Sequence, residues 1–392
     1  MKEETARWND YVFSSWSETC CWISLKFTFG ERNNYNSVRI DQSKKLLAWG
    51  IQGAVVAFVL GLLCSSALAK DPPLTKPPTP PGTYLNPIGD PPIHLQDPFV
   101  FLWAKNSFLF GTSSPSEGFQ CYESPDLVHW KLNGWAWRKN GMHVARGELH
   151  SPQVFAYQGM FCMIYSALMP TGTQLALAAS VKPEGPYHDL HVPWLGLGDG
   201  CVDGDVFIND NGKPYLIFSQ RSMRNSCRYS AIYGVGLNKD LSEMIGEPAK
   251  LLEADQRWEL AHRELIQYNE SPRMFRIGSK YYLTYSANDP LSPEYGIGYA
   301  VADKPLGPWV KSAQNPLLST HAEIAVFGPG HGSVFRSIDR KEWIIVYDSL
   351  LGSANRFEDH VVNIDRLALQ NNRTLTVKGP TRSPQPLPSG AK

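Results

Sequence analysis

From about Ile93 onward, apolar and polar positions follow a strand–turn–strand pattern that no long helical period interrupts. Asn209-Asp-Asn-Gly212, between Val206-Phe-Ile208 and Tyr215-Leu-Ile-Phe218, is a hairpin turn signal. Within the pattern one phrase returns five times: Asp97-Pro-Phe-Val-Phe101, Ser151-Pro-Gln-Val-Phe155, Asp203-Gly-Asp-Val-Phe207, Ser271-Pro-Arg-Met-Phe275 and His331-Gly-Ser-Val-Phe335. A turn and an aromatic-rich strand follow each copy: Phe108-Leu-Phe110, Phe161 to Tyr165, Tyr215 to Phe218, Tyr281 to Tyr285, and Trp343 to Tyr347. The copies begin 54, 52, 68 and 60 residues apart. A supersecondary unit repeated at that interval predicts an all-β fold, a five-bladed β-propeller over residues 93–385 with one catalytic domain. Ser124 to Trp130 and Gly307-Pro-Trp309 read as outer-strand or blade-closing segments.

Equivalent positions in a ring point at a common centre, so Asp97, Asp203 and Glu270 should meet. Asp97 and Asp203 open their phrases, and Glu270 stands one residue before its own. A lone Asp at a strand start is usually a solvated turn residue; three acids at or beside one register are not explained that way. Asp90, Asp205 and Asp210 fall off the register, and Asp210 reads as a turn residue. Two carboxyls across a polar cleft can break an acetal bond, one protonating the leaving oxygen while the other activates water. A third acid nearby helps keep the donor protonated and oriented. His331, after Gly328-Pro-Gly330, stands at the same register, and two readings stay open: a hydrogen-bonded core histidine, or an ion contact at the channel.

Composition narrows the partners. The chain carries 37 basic and 37 acidic side chains and no basic run, so neither nucleic acid nor an anionic membrane surface is an expected partner. Lys44-Lys45, the apolar run Ala54 to Leu63 and Ala67-Leu68-Ala69 have the layout of a secretory signal peptide, the run being too short to span a bilayer. We expect translation to start nearer Val38 than Met1, cleavage before Lys70, and an exported protein, periplasmic or secreted, without a stable membrane partner afterwards. The alternative is an uncleaved, inward-facing anchor. This divides the chain into an extension and signal peptide (1–69), a proline-rich leader expected to pack loosely or not at all (70–92), the propeller, and a tail (386–392). Four cysteines follow the cleavage point. Cys201 and Cys227 are the nearest pair for a disulfide, while Cys162, inside an apolar strand, reads as a buried thiol. No Cys/His cluster has zinc-ligand spacing.

Asp97-Pro98, His150-Ser-Pro-Gln-Val154, Val202-Asp203-Gly-Asp-Val-Phe207 with Asp210-Asn-Gly212, Glu270-Ser-Pro272 and Gly328-Pro-Gly-His-Gly332 together resemble glycoside hydrolase family 43, from about residue 93 to Gly379-Pro-Thr381. The resemblance implies inverting hydrolysis of arabinofuranosides or xylosides in oligo- or polysaccharides. It implies Asp97 as general base, Asp203 as the residue that tunes and orients the acid, and Glu270 as general acid. His150 and Ser151 would contact substrate. No cofactor is required, although His331 would lie near a structural calcium or sodium ion at the propeller centre. Two departures stand out. Many relatives have Trp-Ala-Pro-Glu in place of His150-Ser-Pro-Gln153, so sugar selectivity does not carry over. Many also have Tyr-His in place of Tyr347-Asp348. Alternatives are a retaining fructan-type hydrolase, against which the chain lacks Arg-Asp-Pro and Glu-Cys motifs, and a non-catalytic carbohydrate-binding propeller, which would not need three acids kept together.

Overall fold

The computed structural model describes residues 76–141, 143–352, 359–370 and 373–391. The expected signal peptide and start site lie outside the described residues. The architecture is all-β. The first sheet comprises Gln96–Trp103, Asn106–Thr112, Gly118–Ser124 and Lys131–Arg138, and the second Gly147–Tyr157, Met160–Met169, Gly172–Ser180 and His188–His191. An eight-stranded sheet follows, made of two four-stranded antiparallel meanders. Cys201–Ile208 to Met244–Leu252 form one, and Ile266–Ile277 to Val310–Lys311 the other. A short parallel pairing of Arg228 to Ser230 with Ile266 to Tyr268 joins them. Phe327–Arg336, Trp343–Leu350, His360–Leu369 and Leu375–Lys378 form the last sheet. Each repeated phrase lies on the first strand of a meander, and each aromatic segment on the second.

Apolar faces of successive meanders pack on one another. Phe110, Phe161 and Tyr165 share one buried cluster; Phe155 and Ile164 share another with Leu216 and Phe218; Ile217 shares a third with Leu283 and Tyr285. Phe275 and Tyr282 share a further one with Leu367. The order returns to its start, because Val100 and Leu109 of the first sheet pack with Val346 and Ile364 of the last. Burying side chains of this size stabilises by roughly 1.5–3 kcal/mol each.

The leader is a correction. Thr83–Tyr84 pairs antiparallel with Gln385–Pro386, and Tyr84, Leu85 and Ile88 are buried. Asn86 exchanges hydrogen bonds with the backbone of Ile364, donating at 2.8 Å and accepting at 3.0 Å. The apolar residues between the prolines have a groove to fill, so the leader packs from Thr83 onward, and the tail shares that packing. The cysteines are the second correction. Cys121, Cys162, Cys201 and Cys227 are all free, buried thiols, so Cys201 and Cys227 form no disulfide. Asp210 sits in the hairpin turn as expected, paired with Arg276.

The repeat recurs at the level of backbone angles. The opening residues Asp97, Ser151, Asp203, Ser271 and His331 are all left-handed, with φ of 54°, 54°, 56°, 55° and 51°. At each, the pairing with the second strand slips. A bulge of this kind re-aims one side chain, and a non-glycine residue in that conformation costs about 1–2 kcal/mol. Five such residues at one register are therefore held by their surroundings. Two residues further on, Phe99, Gln153, Asp205, Arg273 and Ser333 form a second layer. There Gln153 bonds Asp205, and the Arg273 guanidinium lies 5.8 Å from the Phe99 ring centre. Burial pushes the Asp205 carboxyl up to about 6, against the pull of Arg273 and the Met274 N–H.

Candidate active site

The re-aimed side chains bond one another in a closed circuit. Ser151 donates its backbone N–H to Asp97 Oδ2 at 3.1 Å and its hydroxyl to Asp203 Oδ1 at 2.7 Å. The Ser271 N–H donates to Asp203 Oδ2 at 3.2 Å, and its hydroxyl lies 2.9 Å from His331 Nδ1. His331 Nδ1 is also 2.9 Å from Asp97 Oδ1, which completes the circuit.

A second set of contacts ties neighbouring meanders together. Ser151 N–H donates to Thr112 Oγ1 (3.0 Å), Asp203 N–H to Ser166 Oγ (3.0 Å), Ser271 N–H to Ser219 Oγ (3.1 Å) and His331 N–H to Ser286 Oγ (2.9 Å). Each hydroxyl comes from the second strand of the preceding meander, opposite the residue that precedes the bulge.

The circuit is charged. Burial pulls the His331 imidazolium down, but Asp97 and Asp203 outweigh it and raise its pKa to about 10. Burial pushes Asp97 up, yet the His331 charge, its hydrogen bond, His150 and Thr112 hold the carboxyl well below the usual range. Asp203, completely buried, is held down the same way by His331 and His150.

A cavity of about 300 Å³ opens above this circuit, at the lower end of the range for ligand pockets. Asp97, His150, Arg221, Glu270, Tyr295, His331, Asp348 and His360 are among its lining residues. Asp203 and Ser151 are not. Both are fully buried behind it, so Ser151 braces the acids where sequence placed it against substrate, while His150 does reach the cavity. Arg221 grips Glu270 Oε2 through Nη2 at 2.8 Å and Nε at 3.2 Å, and the Tyr295 hydroxyl donates to Oε1 at 3.0 Å. Gly330 makes room for this, since a Cβ there would meet Tyr295 Cε1 at 1.9 Å. Sequence reasoning missed Arg221, Tyr295 and His360, which lie outside the repeated phrase. It noted Asp348 only as a departure.

His331 bonds within the circuit through both ring nitrogens: Nδ1 faces Asp97 and Ser271, and Nε2 lies 3.0 Å from Ser151 Oγ. An ion near His331 stays an expectation of the resemblance. Among the described residues, no group of three or more His, Cys, Asp or Glu is placed to hold a metal.

Comparison with known proteins places the chain in a family. Residues 84–372 match Glycosyl hydrolases family 43, and the chain belongs to that family. It is an inverting glycosidase that hydrolyses O-glycosyl bonds with acid and base carboxylates, chemistry that needs no cofactor in general. A thermostable family-43 glycoside hydrolase of known structure is 38% identical, with a TM-score of 0.74, covering 78% of this chain and 99% of its own. An endo-1,4-β-xylanase structure from Bacteroides thetaiotaomicron is 28% identical (TM-score 0.65; 76% and 97% covered). Among curated relatives, the β-D-galactofuranosidase xynD of Aspergillus niger is 25% identical over 293 residues, covering 69% of this chain and 78% of the relative. The extracellular exo-α-(1→5)-L-arabinofuranosidase of Streptomyces avermitilis is 25% identical over 308 residues, covering 74% of this chain and 61% of that protein's length.

Proposed function

We propose that this chain removes arabinofuranosyl or xylosyl groups from oligo- or polysaccharides on a five-bladed β-propeller, with Glu270 as general acid and Asp97 as general base. The observation that carries the reading is that Asp97 and Glu270 line one cavity while Asp203 lies wholly behind it. The closed circuit of five equivalent residues and the packing of last sheet on first support the propeller. The printed activities of the relatives support the sugar class.

In this reading Arg221 occupies Glu270 Oε2 twice, so the proton is carried and delivered by Oε1, the oxygen beside Tyr295. The bond from the anomeric carbon to the leaving oxygen breaks as that oxygen takes the Glu270 proton. A water adds to the anomeric carbon from the opposite face and gives its proton to Asp97, inverting the configuration. Arg221 stabilises the carboxylate left on Glu270. The His331 charge keeps Asp97 ionised, and therefore able to accept, far into acid. Asp203 touches no substrate: it is a positioning residue that ties Ser151, Ser271 and His331 together. The signal-like segment, Lys44 to Ala69, supports an exported enzyme.

The test is a panel of 4-nitrophenyl pentosides followed by proton NMR of the first-formed sugar. Hydrolysis of an arabinofuranoside or xyloside with the inverted anomer first is expected. A first-formed retained anomer, or a covalent glycosyl adduct on Asp97, would contradict the assignment.

A further inference from the structure

Four of the five meanders place a hydroxyl at one register of the second strand, and each hydroxyl accepts the N–H of the next opening residue: Thr112, Ser166, Ser219 and Ser286. In the last meander that register belongs to Asp348, which pairs with Gly330. Among the described residues Asp348 makes no bond of that kind. Its Oδ2 is held by His360 Nδ1 at 2.7 Å, and both residues line the cavity. A buried carboxylate in place of a small hydroxyl is costly unless something uses it. Here one oxygen is anchored and no described hydrogen bond occupies the other.

The position says what would use it. Asp348 pairs with Gly330, the neighbour of His331, whose Nδ1 lies 2.9 Å from Asp97, and this puts it at the base end of the cavity. In an inverting site the base stands beside the sugar ring whose anomeric carbon is attacked, and the acid beside the leaving group. A carboxylate at the base end therefore faces the ring of the transferred sugar, whose hydroxyls are donors that a charged acceptor recognises strongly.

We propose that the Asp348–His360 pair is the recognition element for ring hydroxyls of the transferred sugar, with Asp348 Oδ1 accepting from one or two of them and His360 fixing the carboxylate. The inference rests on Asp97 being the base.

The experiment compares wild type, Asp97→Asn, Asp348→Asn and His360→Gln. Kinetics are measured on 4-nitrophenyl α-L-arabinofuranoside and β-D-xyloside and on their 2-deoxy and 3-deoxy derivatives, and binding of free L-arabinose and D-xylose by saturation-transfer NMR. Asp348→Asn should lower kcat/KM by about 10- to 100-fold on the parent glycoside, the scale of a hydrogen bond to a charged group. The loss should shrink at least several-fold on one deoxy derivative. His360→Gln should show the same pattern more weakly, and both variants should lose sugar binding that Asp97→Asn keeps. Equal losses on parent and deoxy substrates, or undiminished sugar binding by Asp348→Asn, would overturn the proposal and leave the glycosidase reading standing. If wild type binds a free sugar but hydrolyses neither glycoside, while Asp348→Asn abolishes binding, the recognition site stands and the catalytic reading fails. If Asp348→Asn does not fold, His360→Gln decides by the same comparison.

Discussion

His331 Nδ1 lies 2.9 Å from Asp97 Oδ1, joining the last of the five repeated phrases to the first. One contact thus closes the circuit and sets the charge state of the residue assigned as base. Replacing the imidazolium by an uncharged amide should therefore be felt in the pH profile. His331→Gln is expected to move the acidic limb of kcat/KM to higher pH, because Asp97 loses the charge that depresses its pKa. An unmoved acidic limb in a folded variant would show that Asp97 does not control it.

The pairing of His331 with Asp97 and Asp203 predicts how stability depends on pH. His331 has a raised folded pKa, so its contribution is complete below the unfolded value of about 6.5 and is lost as pH rises through about 10. Asp97 and Asp203 are depressed, so theirs is complete above about 3.9 and is lost as pH falls through their folded values. Breaking a buried charge pair costs about 3–5 kcal/mol. Denaturant unfolding of wild type and His331→Gln should differ most between about pH 4 and 6.5, with the gap narrowing toward pH 10. A gap independent of pH would mean that the charge does not contribute.

Much of this was legible because a strand repeats its side-chain direction every two residues, and a repeated phrase carries that direction around the chain. Asp97, Asp203 and His331 share one register and meet, and Glu270, one residue off it, lines the same cavity as Asp97. The hydroxyls that accept the opening residues' N–H groups were legible in principle: Tyr165-Ser166, Phe218-Ser219 and Tyr285-Ser286 repeat an aromatic–hydroxyl pair, and Tyr347-Asp348 breaks it. Arg221 and Tyr295 were not legible. Arg221 reaches Glu270 from the strand Pro214–Arg224, beyond its repeated aromatic segment, and Tyr295 from the residue before Gly296–Ala302, so neither belongs to the repeat. Ser151 was misplaced because the register says that a residue points inward but not whether it stops at the cavity wall or behind it.

Ser151 therefore offers a clean discrimination. Ser151→Ala keeps the N–H that Asp97 accepts but removes the hydroxyl bonded to Asp203. Steady-state kinetics should show kcat reduced by about 10- to 100-fold, the scale of a hydrogen bond to a charged group, with KM little changed. A rise in KM at constant kcat would restore Ser151 to the substrate-binding surface.

Tyr295 should act through Glu270. Tyr295→Phe removes the donor to Oε1 and leaves the Arg221 grip intact. Its kcat should fall by about 10-fold on oligosaccharides and less on aryl glycosides, whose departure needs less protonation. Equal losses on both would make Tyr295 a packing residue only.

The division of labour between Glu270 and Asp97 is the central claim, and the dependence of rate on leaving group tests it most directly. Glu270→Gln and Asp97→Asn should be assayed on a series of aryl glycosides of falling leaving-group pKa and on an unactivated oligosaccharide, with folding checked by circular dichroism. Glu270→Gln should retain far more activity on the best leaving groups than on the oligosaccharide. Asp97→Asn should be impaired across the whole series, because every substrate needs its water activated, each loss being on the order of 10²–10⁴-fold at its largest. If Glu270→Gln is impaired equally on activated and unactivated substrates, Glu270 is not the proton donor and the account is wrong.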